Sequence, residues 1–183
     1  YAICSRVFGV DGYMLCYPGL TTIGQQVGGY GIDRGGVYNE RFETQYRISG
    51  TKFIEVNVAT GAITDLGDVT GSEQVALPLS FNTQAIIADK RMYLYEPVGG
   101  FIEVTDVHLG DPIDCVWIDG YYFLTDGEYI YHTDIGNESS IDPLKFATAE
   151  FMPDLSLGLG KTQDNKVMVF GRYTVEYFQN VAA

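Results

Sequence analysis

Asp114-Cys-Val-Trp-Ile-Asp-Gly-Tyr-Tyr-Phe-Leu-Thr-Asp-Gly-Glu-Tyr-Ile-Tyr-His132 is the stretch on which the fold turns. Asp119-Gly120 and Asp126-Gly127 each punctuate a run of aromatic and β-branched residues. Asp-Gly supplies the left-handed backbone of a tight hairpin, and the flanking residues suit a pleated surface. The reading is a meander of three antiparallel strands: 114–118, 121–125 and 128–132. One thin sheet cannot hide an apolar face alone, so it needs neighbours of the same kind.

Working outward, the same wording recurs. Lys52-Phe-Ile-Glu-Val56, Arg91-Met-Tyr-Leu-Tyr95 and Val167-Met-Val-Phe-Gly-Arg-Tyr-Thr-Val-Glu-Tyr-Phe178 are further aromatic strands. Each follows a turn: Ser49-Gly50, Asp89-Lys90 and Asp164-Asn165. The spacing is 39 residues from Gly50 to Asp89, 31 from there to Gly120, and 45 on to Asn165. Four-stranded propeller blades repeat about every 40–50 residues. The expectation is an all-β chain of β-propeller-like, repeated antiparallel four-stranded blades, part of a larger propeller. Residues 1–35 read as an extended arm with first strands, and 36–183 as blades. Helical periodicity is lacking; Pro143-Leu-Lys-Phe-Ala-Thr-Ala-Glu150 is the one candidate for a single helical turn, closed by Pro153.

Composition agrees. Of 183 residues, 46% are hydrophobic and 19% charged, which suits a packed core rather than disorder. Fourteen Tyr, 10 Phe and 22 Gly make a strand-and-turn mixture. The net charge of −13, from 24 acidic and 11 basic residues, is the wrong sign for a surface that grips phosphate. It serves solubility, or a surface that must not adhere to a polyanion. Cys4, Cys16 and Cys115 fit no zinc spacing and read as reduced thiols, a Cys4–Cys16 bridge being the alternative. No apolar run reaches the ~18 residues of a membrane-spanning helix. The opening Tyr1-Ala-Ile-Cys4 has neither the basic nor the apolar region of a signal peptide, and it lacks Met. The expectation is an internal fragment, or a chain whose first residues are not shown.

Candidate chemistry is sparse. Gly28-Gly-Tyr-Gly-Ile-Asp-Arg-Gly-Gly36 lacks the dinucleotide spacing and a following helix, and reads as a turn. Asp106, Asp111, Asp114, Asp126, Glu128 and Asp134 are a carboxylate-rich third of the chain. Paired carboxylates cleave glycosides, but Asp is also the favoured turn residue. His108 and His132 have no Gly-x-Ser-x-Gly nucleophile to serve. Trp117, between Val116 and Ile118, reads as packing. No catalytic residue, metal ligand or cofactor is expected.

The chain resembles the packaged-DNA stabilisation proteins of short-tailed bacteriophages. The resemblance runs through Tyr17-Pro-Gly-Leu20, Gly36-Val-Tyr-Asn39, and Gly67-Asp-Val-Thr-Gly-Ser72 with Val75-Ala76. Thr133-Asp134, Asp142-Pro143, Ala149-Glu150, Pro153-Asp154 and Gly158 follow in order. The most specific match is Phe170-Gly171 with Thr174, Glu176, Tyr177 and Phe178. Family members are longer than this chain. The resemblance implies a non-enzymatic virion protein at the portal vertex of the tail, assembled in the host cytoplasm. It implies a homo-oligomeric, six-fold ring between portal or adaptor proteins and the tail needle, nozzle or fibre proteins. That ring retains packaged DNA, later lets it pass without specific binding, and inserts in no membrane. Ring contacts need aromatic surface, so some of Tyr93, Tyr95, Tyr121, Tyr122, Tyr129 and Tyr131 are expected between subunits. The alternative is a carbohydrate-active or glycan-binding propeller.

Overall fold

A computed structural model describes Cys4–Arg6, Met14–Cys16, residues 31–148 and residues 154–179. Tyr17–Leu20, the glycines at 28 and 29, Ala149-Glu150 and Pro153 lie outside the described residues. A short hairpin pairs β1 (Cys4–Arg6) with β2 (Met14–Cys16), and its register sets Cys4 opposite Cys16. Four sheets follow. The first holds β3 (Asp33–Asn39), β4 (Thr44–Ser49), β5 (Lys52–Asn57) and β6 (Ile63–Asp68). The second holds β7 (Gln84–Ala88), β8 (Arg91–Glu96) and β9 (Gly100–Glu103). The third holds β10 (Asp114–Ile118), β11 (Tyr121–Thr125), β12 (Tyr129–Asp134) and β13 (Asn137–Thr148). The fourth holds β14 (Ser156–Lys161), β15 (Lys166–Gly171) and β16 (Val175–Gln179). In each, neighbours in sequence are antiparallel neighbours in space. No described residue is helical.

The turns work as their residues dictate. Asp119 and Gly120 both have positive φ (51° and 92°), as do Asp89 and Lys90 (51° and 61°). Such a left-handed pair matches the twist of the strands it joins. Asp126 acts differently: its Oδ1 accepts the Glu128 and Tyr129 amides at 2.9 and 2.7 Å, a side-chain turn.

Two stretches differ from the sequence reading. The third sheet gains a fourth strand, β13, which runs through the segment expected to form a helical turn. Tyr129, Ile130 and Tyr131 pair with Thr148, Ala147 and Phe146. That ladder outweighs the local helix preference of Leu-Lys-Phe-Ala. Pro143, which has no N–H to donate, falls in the irregular part of the ladder. The second sheet is also flanked by isolated bridges, Ala76 to Ile87 and Leu79 to Gln84. Ala76 and Ile87 exchange backbone hydrogen bonds (3.1 and 2.9 Å), and the Ala85 amide donates to the Pro78 carbonyl (3.1 Å). Counted from the Ala76 bridge for the second sheet and from the first strand of each other sheet, the repeat starts at Asp33, Ala76, Asp114 and Ser156, steps of 43, 38 and 42 residues. The repeat is more regular than the turns alone suggest.

At two of the three junctions between sheets, these leading segments lie beside one another. The Val75 amide donates to the Arg34 carbonyl (3.2 Å), and the Leu159 amide to Asp114 Oδ2 (2.7 Å). Buried Arg34 ties the first blade internally and to its exit: its guanidinium donates to the carbonyls of Gly50, Thr70 and Glu73. The sheets stack face to face. Tyr46, Ile48, Phe53, Ile86 and Tyr93 fill the first interface. Ile87, Met92, Leu94, Cys115, Tyr122 and Leu124 fill the second, and Ile118, Ile130, Leu159, Val167 and Val169 the third. Each large side chain so buried contributes about 1.5–3 kcal/mol. All five β7 residues are buried because both faces of that strand are covered. Gly67 leaves room for Phe101, whose ring occupies the place a Cβ would take; Phe101 then stacks on Tyr93 at 5.4 Å.

Candidate functional site

A cavity of about 530 Å³ opens between the second and third sheets. Four loops converge on it: the one before β7, the β8–β9 turn, Gly120 after β10, and the β12–β13 turn. Phe81, Ile102 and Trp117 give it apolar walls, and Asn82, Glu96 and Glu138 its polar groups. Phe81 is 71% exposed and meets Trp117 edge-on at 5.0 Å. Its loop is pinned from the first sheet, since Arg41 Nη1 donates to the Phe81 carbonyl (2.9 Å) and to Asn82 Oδ1 (2.5 Å). Below it, buried Tyr122 donates its hydroxyl to the Thr83 carbonyl (2.7 Å). Burial pushes that phenol far above its ordinary pKa. Glu96 Oε1 accepts from Thr83 Oγ1 (3.1 Å). Two smaller cavities, of 270 and 290 Å³, flank β12 and β13.

Five of the six carboxylates singled out in the sequence are engaged in turns, backbone hydrogen bonds or ion pairs. Asp106 accepts the His108 and Ile141 amides, and Asp126 shapes its turn. Asp111 pairs with Lys90, and Asp134 with Lys145. Asp114 Oδ1 and Oδ2 hold the Cys115 and Leu159 amides. These are joints of the scaffold. His132 packs against Tyr121 (4.8 Å) and Phe123 (5.3 Å), while His108 lies on the loop lining the 270 Å³ cavity. Among the described residues no cluster of three or more His, Cys, Asp or Glu could hold a metal ion.

The Phe170–Phe178 motif is also a joint. Asp154 Oδ2 accepts the Tyr173 amide (2.7 Å), the Thr174 amide (3.2 Å) and Thr174 Oγ1 (3.2 Å). The Tyr173 amide above all holds the Asp154 carboxyl below the ordinary carboxylate range. The Gly171 amide donates to the Thr174 carbonyl (2.9 Å). Gly171 is required because a Cβ there would collide with Asp154 and Thr174. Phe178 packs into the third interface. Glu176, on the same face, keeps one buried carboxylate oxygen without a partner. Phe170 and Tyr177 point to the other face of the fourth sheet, which they share with Val175 and leave exposed.

The tyrosines divide. Tyr93, Tyr122 and Tyr131 are buried inside this chain, which leaves Tyr95, Tyr121 and Tyr129 to carry the expectation that some of the six lie between subunits. Their rings fill the interfaces between sheets, and their hydroxyls have internal partners: Thr70, the Thr83 carbonyl and the Leu109 carbonyl. Tyr95 is half-buried against Tyr46 and Phe53. Tyr121 is half-buried, and Tyr129 is 37% exposed. Phe81, Glu96 and Glu138 escaped sequence reasoning because they stand far apart in the chain, on the loop before β7, the end of β8 and the start of β13; Trp117 was visible, but as packing.

Comparison with known proteins accords with this architecture. A structure of virginiamycin B lyase from Staphylococcus aureus superposes with a TM-score of 0.59 over 98% of this chain and 78% of that one, at 9% identity. YCF48 bound to a D1 peptide gives 0.62 over 95% and 63%, at 12% identity. A streptogramin B lyase gives 0.57 over 92% and 59%, also at 12%. The chain thus spans about three fifths of the length of the latter two, and at such identity the likeness is one of fold. No curated protein sequence matches. The sequence model of the family described as bacteriophage P22 Gp10, beta-propeller, matches residues 1–183. The chain belongs to this family of phage structural proteins.

Proposed function

We propose, with that membership as premise, that this chain is a blade-bearing part of a ring at the portal vertex, which retains packaged DNA and lets it pass on ejection. The observation that carries the reading is the family match from residue 1 to residue 183, on a chain whose four sheets are the blades that family is described by. The ring is homo-oligomeric, six-fold, and lies between portal or adaptor proteins and the needle, nozzle or fibre proteins. Charge supports the role. A net −13 repels phosphate, so DNA can slide past without being held. The partially exposed Tyr121 and Tyr129 are proposed to face neighbouring subunits, each with an apolar body and a polar tip. The protein acts without catalysis; lyase activity belongs to the structural neighbours named for it.

Imaging of assembled particles tests the reading. A six-fold density on the portal axis that accepts this fold is expected, with double-stranded DNA failing to retain the purified protein at low salt. Density on side fibres alone, or tight DNA binding that salt abolishes, would overturn it.

A further inference from the structure

We infer that the cavity between the second and third sheets is a docking pocket for a basic side chain, arginine foremost, carried by a loop of another protein. The inference is independent of the ring reading. Two carboxylates, Glu96 and Glu138, line the cavity, and among the described residues neither is ion-paired. No Lys or Arg belongs to its lining. Two cations touch residues of its wall without pairing with either carboxylate: Arg41 holds the Phe81 loop, and Lys161 Nζ sits 5.5 Å from the Trp117 ring centroid. The remaining walls are Phe81, Trp117 and Ile102, with the Phe81 ring largely exposed on a loop that Arg41 fixes.

Aromatic faces beside uncompensated carboxylates match a guanidinium in both respects. Its plane stacks on a ring while its N–H groups donate to carboxylate in a fork. A lysine ammonium satisfies the charge and not the plane. A neutral saccharide satisfies the ring and leaves both carboxylates uncompensated, so charge complementarity favours the basic peptide. The volume of about 530 Å³ admits an arginine side chain with part of its backbone.

The chain has one tryptophan, so its emission reports this wall of the pocket. The protein is titrated with acetyl-Gly-Arg-Gly-amide, with acetyl-Gly-Gln-Gly-amide, and with maltotriose. The expected result is a saturable change in Trp117 emission with the arginine peptide alone, weakened by salt. In the Glu96→Gln, Glu138→Gln double variant, with circular dichroism confirming the fold, half-saturation should need at least about tenfold more peptide, because charge-assisted hydrogen bonds are lost. The inference is overturned by no saturable response to the arginine peptide. An equal response to the glutamine peptide, saturation by maltotriose alone, or undiminished binding by the double variant would overturn it as well.

Discussion

The second and fourth sheets carry the same chemistry on their faces and differ in what lies against them. On the second, β7 is buried throughout, and Ile86 and Ile87 point into different cores. On the fourth, Val167 and Val169 are buried against the third sheet, while Tyr177 on the other face is 62% exposed. Strand residues of either sheet alternate between faces, so exposure is decided by the neighbour and not by the strand. A face between two sheets should therefore respond to mutation as a core, and the outer face of the fourth as a surface.

The sharpest test is Tyr122, fully buried in the second interface. Tyr122→Ala should destabilise the protein by about 3–5 kcal/mol, read as a lower urea midpoint with an unchanged slope. Tyr122→Phe keeps the ring and loses the bond to the Thr83 carbonyl, leaving that acceptor unpaired; about 1–3 kcal/mol is expected. If Tyr122→Ala is tolerated, the sheets do not pack as described.

Alkali should act next most strongly, and on the same interfaces. Burial pushes the Tyr46 phenol up to about 12, and raises Tyr122 and Tyr131 further. An unfolded tyrosine ionises near 10. The folded state thus holds these protons more tightly, so their stabilisation is complete below about pH 10 and falls as pH rises towards 12. Urea midpoints should drop across that window, with tyrosinate absorbance from these residues appearing only on unfolding. Early ionisation of all fourteen tyrosines in the native protein would show that the inter-sheet faces are open.

How far this contrast could be read from sequence depends on the range of the interactions. Asp119-Gly120 announced its hairpin because its left-handed backbone is a property of those two residues. The bridges at Ala76 and Leu79 were silent, since Pro78 breaks the pattern and their partners lie on β7. β13 was misread because Pro143 and the helix formers after it speak locally, while pairing with β12 decides. Phe170-Gly171 was legible as a family mark, yet its reason, the Asp154 carboxylate lodged against Gly171, appears only in three dimensions. The cavity was out of reach for the same reason: its walls come from two sheets and the turns between their strands. Which of the six tyrosines are core was out of reach too, because an aromatic strand looks alike on both faces.

Gly67 probes the first interface with a smaller change. A methyl group at this position would enter the space of the Phe101 ring, which is held between Tyr93 and Phe53. Gly67→Ala should cost about 1–3 kcal/mol from overpacking. Phe101→Leu in the same chain should return part of that loss by vacating the ring's space. A neutral Gly67→Ala would mean that Phe101 can leave, and that this interface is looser than the second.

The smallest effect on stability is expected at Tyr177. Its ring lies on the exposed face of the fourth sheet with Phe170 and Val175. Tyr177→Ser in the isolated chain should change unfolding free energy by no more than about 0.5 kcal/mol, as for other surface positions. The same substitution removes one of three neighbouring apolar groups, and patches of that kind promote association. Sedimentation at increasing concentration should therefore show less self-association for the variant while the urea midpoint stays in place. A loss of several kcal/mol at Tyr177 would place this face in the same class as the one that buries Tyr122, and the contrast between the two sheets would fail.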